Sequence, residues 1–298
     1  VICTYQNLIY MSVVIKTVSS KRDFKIFARF ANKLYKGNRY YVPSMPFDDL
    51  NTFDKEKNGA FEFSEAEFYL AYKDDKVVGR VAAIVNHKAN EAWKVSQVRF
   101  GWIDFIDDLE VSKALLDAVI AFGKARGMTQ IVGPLGFTDF DPEGMLVEGF
   151  DRVSTMALIY NHPYYPEHMK KHGYYKETGW VEYRITIPEA LPERHIKLAE
   201  LVKERYNLKV LKKTKAQIRK EKYGHKLFQL INETYCVLYG YSLLSPKQID
   251  QYVDVYLGLL DLRMVSFIEN ENGDLIAAGV SMPSLADALQ KCNGELFP

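Results

Sequence analysis

Residues 98–133 carry the pattern that most limits what this chain can fold into. Val98, Phe100 and Trp102 alternate with Arg99 and Gly101 over Val98–Ile106, the period-two signature of a strand. Val111, Ala114, Leu115, Ala118, Val119 and Phe122 then recur at the spacing of one helix face as far as Arg126. Asp107-Asp108 precede that helix and Gly127 follows it, as start and stop signals do. Gln130–Val132 is a short strand that ends at Gly133-Pro134.

The flanks extend the same alternation. Val13–Val18 reads as a strand and Asp23–Tyr35 as a helix ended by Gly37 and Asn38. Pro43–Phe63 is loop-like. Ala66–Tyr72 and Val77–Asn86 form a hairpin about Asp74-Asp75. Met156–Ile159 is a candidate strand, Pro163–His172 a short helix, and Val181–Ile187 a final strand before Pro188 and Pro192. Helices interleaved with strands predict an α/β chain with a mixed sheet and helices on both faces.

From Leu208 the order begins again. Leu208–Leu211 is a strand, His225–Tyr239 and Pro246–Leu260 are helices, and Met264–Glu269 with Leu275–Val280 forms a hairpin about Asn272-Gly273. Its second strand carries Gly279 where the first hairpin carries Gly79, a weak internal repeat. Leu285–Lys291 is a short helix. The expected division is therefore an extension over residues 1–10, with Met11 as the expected natural start, a first domain over 11–190, a linker or helix over 191–207, and a partial second domain over 208–298.

Composition excludes several classes. With 39 basic and 38 acidic side chains among 298 residues, a net charge of +1 gives no whole-chain case for nucleic acid. The apolar runs are short and broken by charge, so no segment reads as a membrane span. Cys3, Cys236 and Cys292 have no metal or disulfide spacing, which fits a reducing cytoplasm.

The stretches VRFGWIDFIDD, RGMTQIVGPLGF, EGMLVEGFD and YNHPYYPEHMKKHGYYK, together with the element order, resemble the GNAT superfamily of acyl-CoA N-acyltransferases. More narrowly they resemble a tandem, YghO-like bacterial GNAT family, over residues 60–190 best of all. LADALQKCNGELFP resembles the middle of a second unit. The resemblance implies one complete GNAT unit and part of a second. It implies acetyl-CoA or a longer acyl-CoA as co-substrate, no metal, and a small-molecule or lipid amine as acceptor, a long-chain amino alcohol being one candidate. The expected location is the cytoplasm, peripheral to the inner membrane if the acceptor is a lipid. A half sheet with an open edge also predicts a homodimer.

The resemblance also assigns residues. GNAT enzymes hold the coenzyme pyrophosphate on backbone N–H groups where the fourth strand meets the next helix. Here that position is Phe105, Ile106, Asp107, Asp108 and Leu109, followed by Glu110, with no glycine or arginine and three carboxylates. These charges repel phosphate, so the expectation is an altered donor site or one that has been lost. Asp104, Glu148 and Tyr165 are the candidate catalytic groups. Met169 occupies the place of the usual acid tyrosine. Phe137, Phe140, Phe150, Tyr160, Asn161 and Tyr164 are the candidate substrate pocket. His168 and His172 share a helix face without a third ligand and read as solvated surface histidines. The basic run Lys212–Lys226 reads as a solvated helix, or as a membrane-facing patch if the acceptor is a lipid.

Overall fold

The computed structural model describes residues 12–156 and 158–295. The expectations for residues 1–10 and for Met11 lie outside them. The described residues divide into two compact units, one within residues 12–177 together with 285–295, and one over residues 178–284.

Unit 1 is built on a five-stranded sheet in the order β1-β2-β3-β4-β5. The strands are β1 (Val14–Thr17), β2 (Ser64–Lys73), β3 (Lys76–Asn86), β4 (Gln97–Phe105) and β5 (Gln130–Val132). The first four pair antiparallel and β5 pairs parallel to β4. That is the mixed sheet expected. The β2–β3 turn puts both Asp74 and Asp75 at positive φ, the geometry that matches the twist of a two-residue hairpin.

Two apolar layers sandwich the sheet. One face packs Val81, Ala83, Val98, Phe100, Ile103 and Phe105 on α4 (Leu109–Lys124) through Val111, Leu115 and Val119. At Gly79 a Cβ would stand 2.8 Å from Leu115 Cδ1, so glycine lets α4 approach β3 closely. The other face packs Phe68, Leu70, Ile84 and Trp102 on α1 (Lys21–Leu34), with Phe27, Ala28 and Phe53. Helix α1 starts with a full capping box between Ser20 and Asp23.

The segment expected to be loop contains α2 (Pro46–Thr52), and α3 (His87–Trp93) follows β3. Both are only seven residues long, too short for a readable period. Helix α5 (Tyr164–Lys171) lies where the sequence placed it. Two expected strands are absent. Met156 and Leu158–Ile159 lie in turn and coil. Val181–Ile187 has no strand pairing among the described residues, and Val181, Tyr183, Ile185 and Ile187 are all more than three-quarters exposed. Alternation supplies a strand's faces, but a strand also needs a hydrogen-bonding neighbour.

Unit 2 holds α6 (Glu193–Arg205) and a three-stranded antiparallel sheet of β6 (Lys209–Leu211), β7 (Val265–Glu269) and β8 (Leu275–Val280). Helices α7 (Lys215–Lys220), α8 (Tyr223–Tyr235) and α9 (Pro246–Leu259) lie between β6 and β7 in the chain. The basic run Lys212–Lys226 begins between β6 and α7 and extends into α8. Lys212 donates to the Arg263 and Val265 carbonyls, so part of it serves the fold. Gly279 has open space about it, so the repeat with Gly79 does not extend to its packing role.

Helix α10 (Ala286–Cys292) belongs to unit 1. Ala286 and Leu289 pack on Val42 and Met45, Gln290 donates to the Arg39 and Tyr41 carbonyls, and Arg29 pairs with Glu295. The expectation that 208–298 forms one partial domain therefore differs from the structure at this segment: its apolar residues find their partners beside α1.

Candidate functional site

The site begins with an irregularity in β4. Its register with β3 shifts between Arg80 and Ala82, and Trp102 has φ 45°. This bulge reverses the facing of the strand. Phe100, Ile103 and Phe105 join the α4 layer, whereas Trp102 packs on Phe53 and Phe137. The simple alternation through Trp102 is corrected accordingly.

Strand β5 follows β4 only across Gln97–Arg99. Leu135 N–H then donates to the Phe100 carbonyl, and the backbone presses so close that a Cβ at Gly101 would stand 2.5 Å from Leu135 O. Further along, the free edge of β4 is met by side chains from α5. Phe105 N–H donates to Tyr165 Oη at 2.9 Å, and the Tyr164 hydroxyl donates to the Phe105 carbonyl at 2.6 Å. The Tyr165 ring stacks on Phe105 with centroids 4.1 Å apart.

Behind this edge lies a closed polar network. The Tyr35 hydroxyl donates to Asp104 Oδ1 at 2.9 Å, and its oxygen lies 2.8 Å from that of Tyr165. Arg80 places Nε and Nη2 each 2.8 Å from Asp104 Oδ2 and donates from Nη1 to the Phe27 carbonyl. Burial, reinforced by the Asp104 charge, pushes both tyrosine hydroxyls well above their ordinary range. They remain protonated donors. Burial opposes the Arg80 charge, but Asp104 and Asp49 outweigh it and hold its pKa up. Asp104 and Tyr165 thus lie together, with both oxygens of Asp104 already occupied.

The turn from β4 into α4 is equally committed. Asp108 caps α4 by accepting from Glu110 N–H and pairs with Lys73 at 2.7 Å. Burial works against its charge most strongly, but the Lys73 hydrogen bond and charge and the Glu110 and Val111 N–H groups together outweigh it and lower its pKa. Asp107 lies 2.9 Å from His168 Nε2, and His168 Nδ1 lies 2.9 Å from Ser112 Oγ, which also meets His172 Nε2 at 2.8 Å. His168 is only 3% exposed, so its reading as a solvated histidine is corrected: it ties α5 to the start of α4. No cluster of metal-binding side chains is present among the described residues.

The remaining candidates have separate surroundings. Glu148 is exposed in a loop. Phe137 is core beside Trp102, and Phe140 and Phe150 are half-buried. Asn161 serves the backbone, accepting from Leu146 N–H and donating to Leu146 O. Tyr160 accepts from Asn38 and packs edge-on to Tyr35.

From the turn after β5, Thr138–Glu143, the sequence reading took Phe140 but missed the carboxylates Asp139, Asp141 and Glu143. Asn86 and Arg99 hold the carbonyls of Phe137 and Gly136, and Asp141 accepts from Thr138 N–H. Burial raises Asp139 and Asp141 to about 6. Burial, with the Asp139 charge next, raises Glu143 to about 7. Neither the Glu143 carboxyl nor the His162 ring has a hydrogen-bond partner among the described residues, and burial lowers the His162 pKa. Glu143 is therefore free to take a proton near neutral pH. The signal for the turn was the run Thr138-Asp139-Phe140-Asp141-Pro142-Glu143-Gly144, dense in turn formers and charge.

No protein-family model matches the chain. Protein YghO of Escherichia coli (strain K12) is 25% identical over 300 residues, covering 98% of this chain and 74% of that protein. Bacterial ceramide synthase of Caulobacter vibrioides is 22% identical over 293 residues, covering 94% and 72%. Among solved structures, the tandem GNAT protein from the clavulanic acid biosynthesis pathway aligns with TM-score 0.46 and 10% identity, over 91% of this chain and 76% of that one. A predicted acetyltransferase from Clostridium acetobutylicum aligns with TM-score 0.36 and 10% identity, over 58% and 96%. Of these structural neighbours, one is named a tandem GNAT protein and the other an acetyltransferase, and YghO gives its name to the family that the motifs resemble.

Proposed function

We propose that the chain is a GNAT-type N-acyltransferase that forms an amide between an acyl group, carried as acyl-CoA, and an amine. The observation that carries this reading is the turn after β5. It stands at the carboxyl ends of the diverging parallel pair, the usual place for a ligand in such sheets. It presents Asp139 and Glu143 with pKa values near 6 and 7. An amine reaches the reaction as an ammonium ion. Carboxylates attract it, and a carboxylate poised near neutrality can take its proton as it attacks. Similarity to a bacterial ceramide synthase supports a long-chain amino alcohol as the acceptor, since a ceramide is the N-acyl derivative of one.

The turn at Asp107-Asp108 does not fit a coenzyme pyrophosphate, so no step is assigned to the donor there. This favours one second reading, a ligand-binding module without turnover. The test is incubation of the chain with acyl-CoA of several lengths and a panel of amines, with products read by mass spectrometry. The proposal expects amide and free thiol in equal amounts. Binding of an amine without amide from any donor would favour the module.

A further inference from the structure

A GNAT sheet can take up an acyl donor in its central cleft only with two things in place. The edge of β4 must be free beyond the point where β5 diverges, and bare N–H groups must face the phosphates at the start of the next helix. Unit 1 supplies neither. We infer that α5 fills the β4–β5 cleft of unit 1 with Tyr164 and Tyr165, and that acyl-CoA does not enter it. The inference rests on the N-acyltransferase reading only for the identity of the ligand kept out.

Three observations carry it, each on different atoms. The Phe105 N–H and carbonyl, which an amide-bearing pantetheine arm would pair with, are taken by the two tyrosine hydroxyls. The Tyr165 ring is 1% exposed and stacked on Phe105, so it occupies the volume as well as the hydrogen bonds. At the head of α4, Asp107, Asp108 and Glu110 face Lys73 and His168, which are already paired with them. A pyrophosphate placed there would meet three carboxylates and no unpaired cation among these residues.

Tyr165 is also costly to move. Its departure would strand Phe105 N–H and remove a neighbour from Tyr35 and Asp104 in the interior. His168, bridging Asp107 and Ser112, holds the same helix from its far end. The substitution of side chains for ligand is therefore part of the packed unit.

Hydrogen–deuterium exchange of the full chain, with and without saturating coenzyme A, acetyl-CoA or palmitoyl-CoA, tests this. The expected result is a slowly exchanging Phe105 amide, unchanged by any of the three, with the Glu110 and Val111 amides equally unchanged. The double variant Tyr164→Phe, Tyr165→Phe should speed Phe105 exchange by about tenfold, because the amide loses its acceptor. Ligand-dependent protection of Phe105 or of Glu110–Val111 would overturn the inference, as would wild-type exchange as fast as that of the double variant. The ligand comparison needs no variant, so it decides the matter if the double variant does not fold. Protection at Phe105 leaves the N-acyltransferase reading standing. Failure to form any amide removes that reading alone, because the Phe105 comparison is read without turnover.

Discussion

At the scale of single residues, the site separates groups that are fixed from groups that are free. Asp104 is fixed: Tyr35 and Arg80 occupy its two oxygens. Arg80→Met would leave that carboxylate buried and uncompensated, at a cost of about 3–5 kcal/mol measured by urea unfolding. A loss of under about 1 kcal/mol would contradict the network as described. Glu143 is free. Glu143→Gln should lower the rate of amide formation about a hundredfold at neutral pH and remove the inflection near pH 7 from the rate profile. An unchanged profile would exclude it as the proton acceptor. The sequence made Asp104 legible because it sits at the end of a strand. Glu143 was not, because its distinction is burial beside Asp139, and burial is a property of the folded turn.

At the scale of elements, strands and helices with a full amphipathic period were readable. The β2–β3 hairpin and helices α1, α4 and α5 follow from alternation, caps and glycine stops. The bulge in β4 was not readable, because nothing in the run Val98–Phe105 marks where one extra residue is inserted. It is the bulge that sends Trp102 to one face and Phe105 to the other. Val181–Ile187 shows the opposite failure, a strand pattern without pairing. The hairpin turn offers a direct check on backbone geometry. Asp74 and Asp75 both sit in the left-handed region, so Asp74→Asn with Asp75→Gly should stabilise the chain by about 1 kcal/mol. Destabilisation in thermal unfolding would mean that the turn has another conformation.

At the scale of the whole molecule, buried acids set the response to pH. Burial raises Asp49, Asp139 and Asp141 to about 6 and Glu143 to about 7. The folded chain therefore holds protons that the unfolded chain releases from about pH 4 upwards. Their contribution to stability is complete below that range and is lost as pH rises through 6 to 7. Asp23, Glu65 and Asp108, whose pKa values are lowered, act in the opposite sense at lower pH. The melting temperature should thus fall between pH 5 and 8, and Asp141→Asn, which keeps an oxygen for Thr138 N–H, should flatten the fall. A melting temperature that rises over this range would contradict the assignment.

These scales meet in the inference proposed above: α5 fills the space between β4 and β5 of unit 1, and acyl-CoA stays out of it. A crystal structure of the chain grown with coenzyme A tests it most directly. The account predicts Tyr165 Oη within hydrogen-bond distance of Phe105 N, with any coenzyme density outside the space between β4 and β5. A pantetheine arm lying along Phe105, with Tyr164 and Tyr165 swung away, would contradict it.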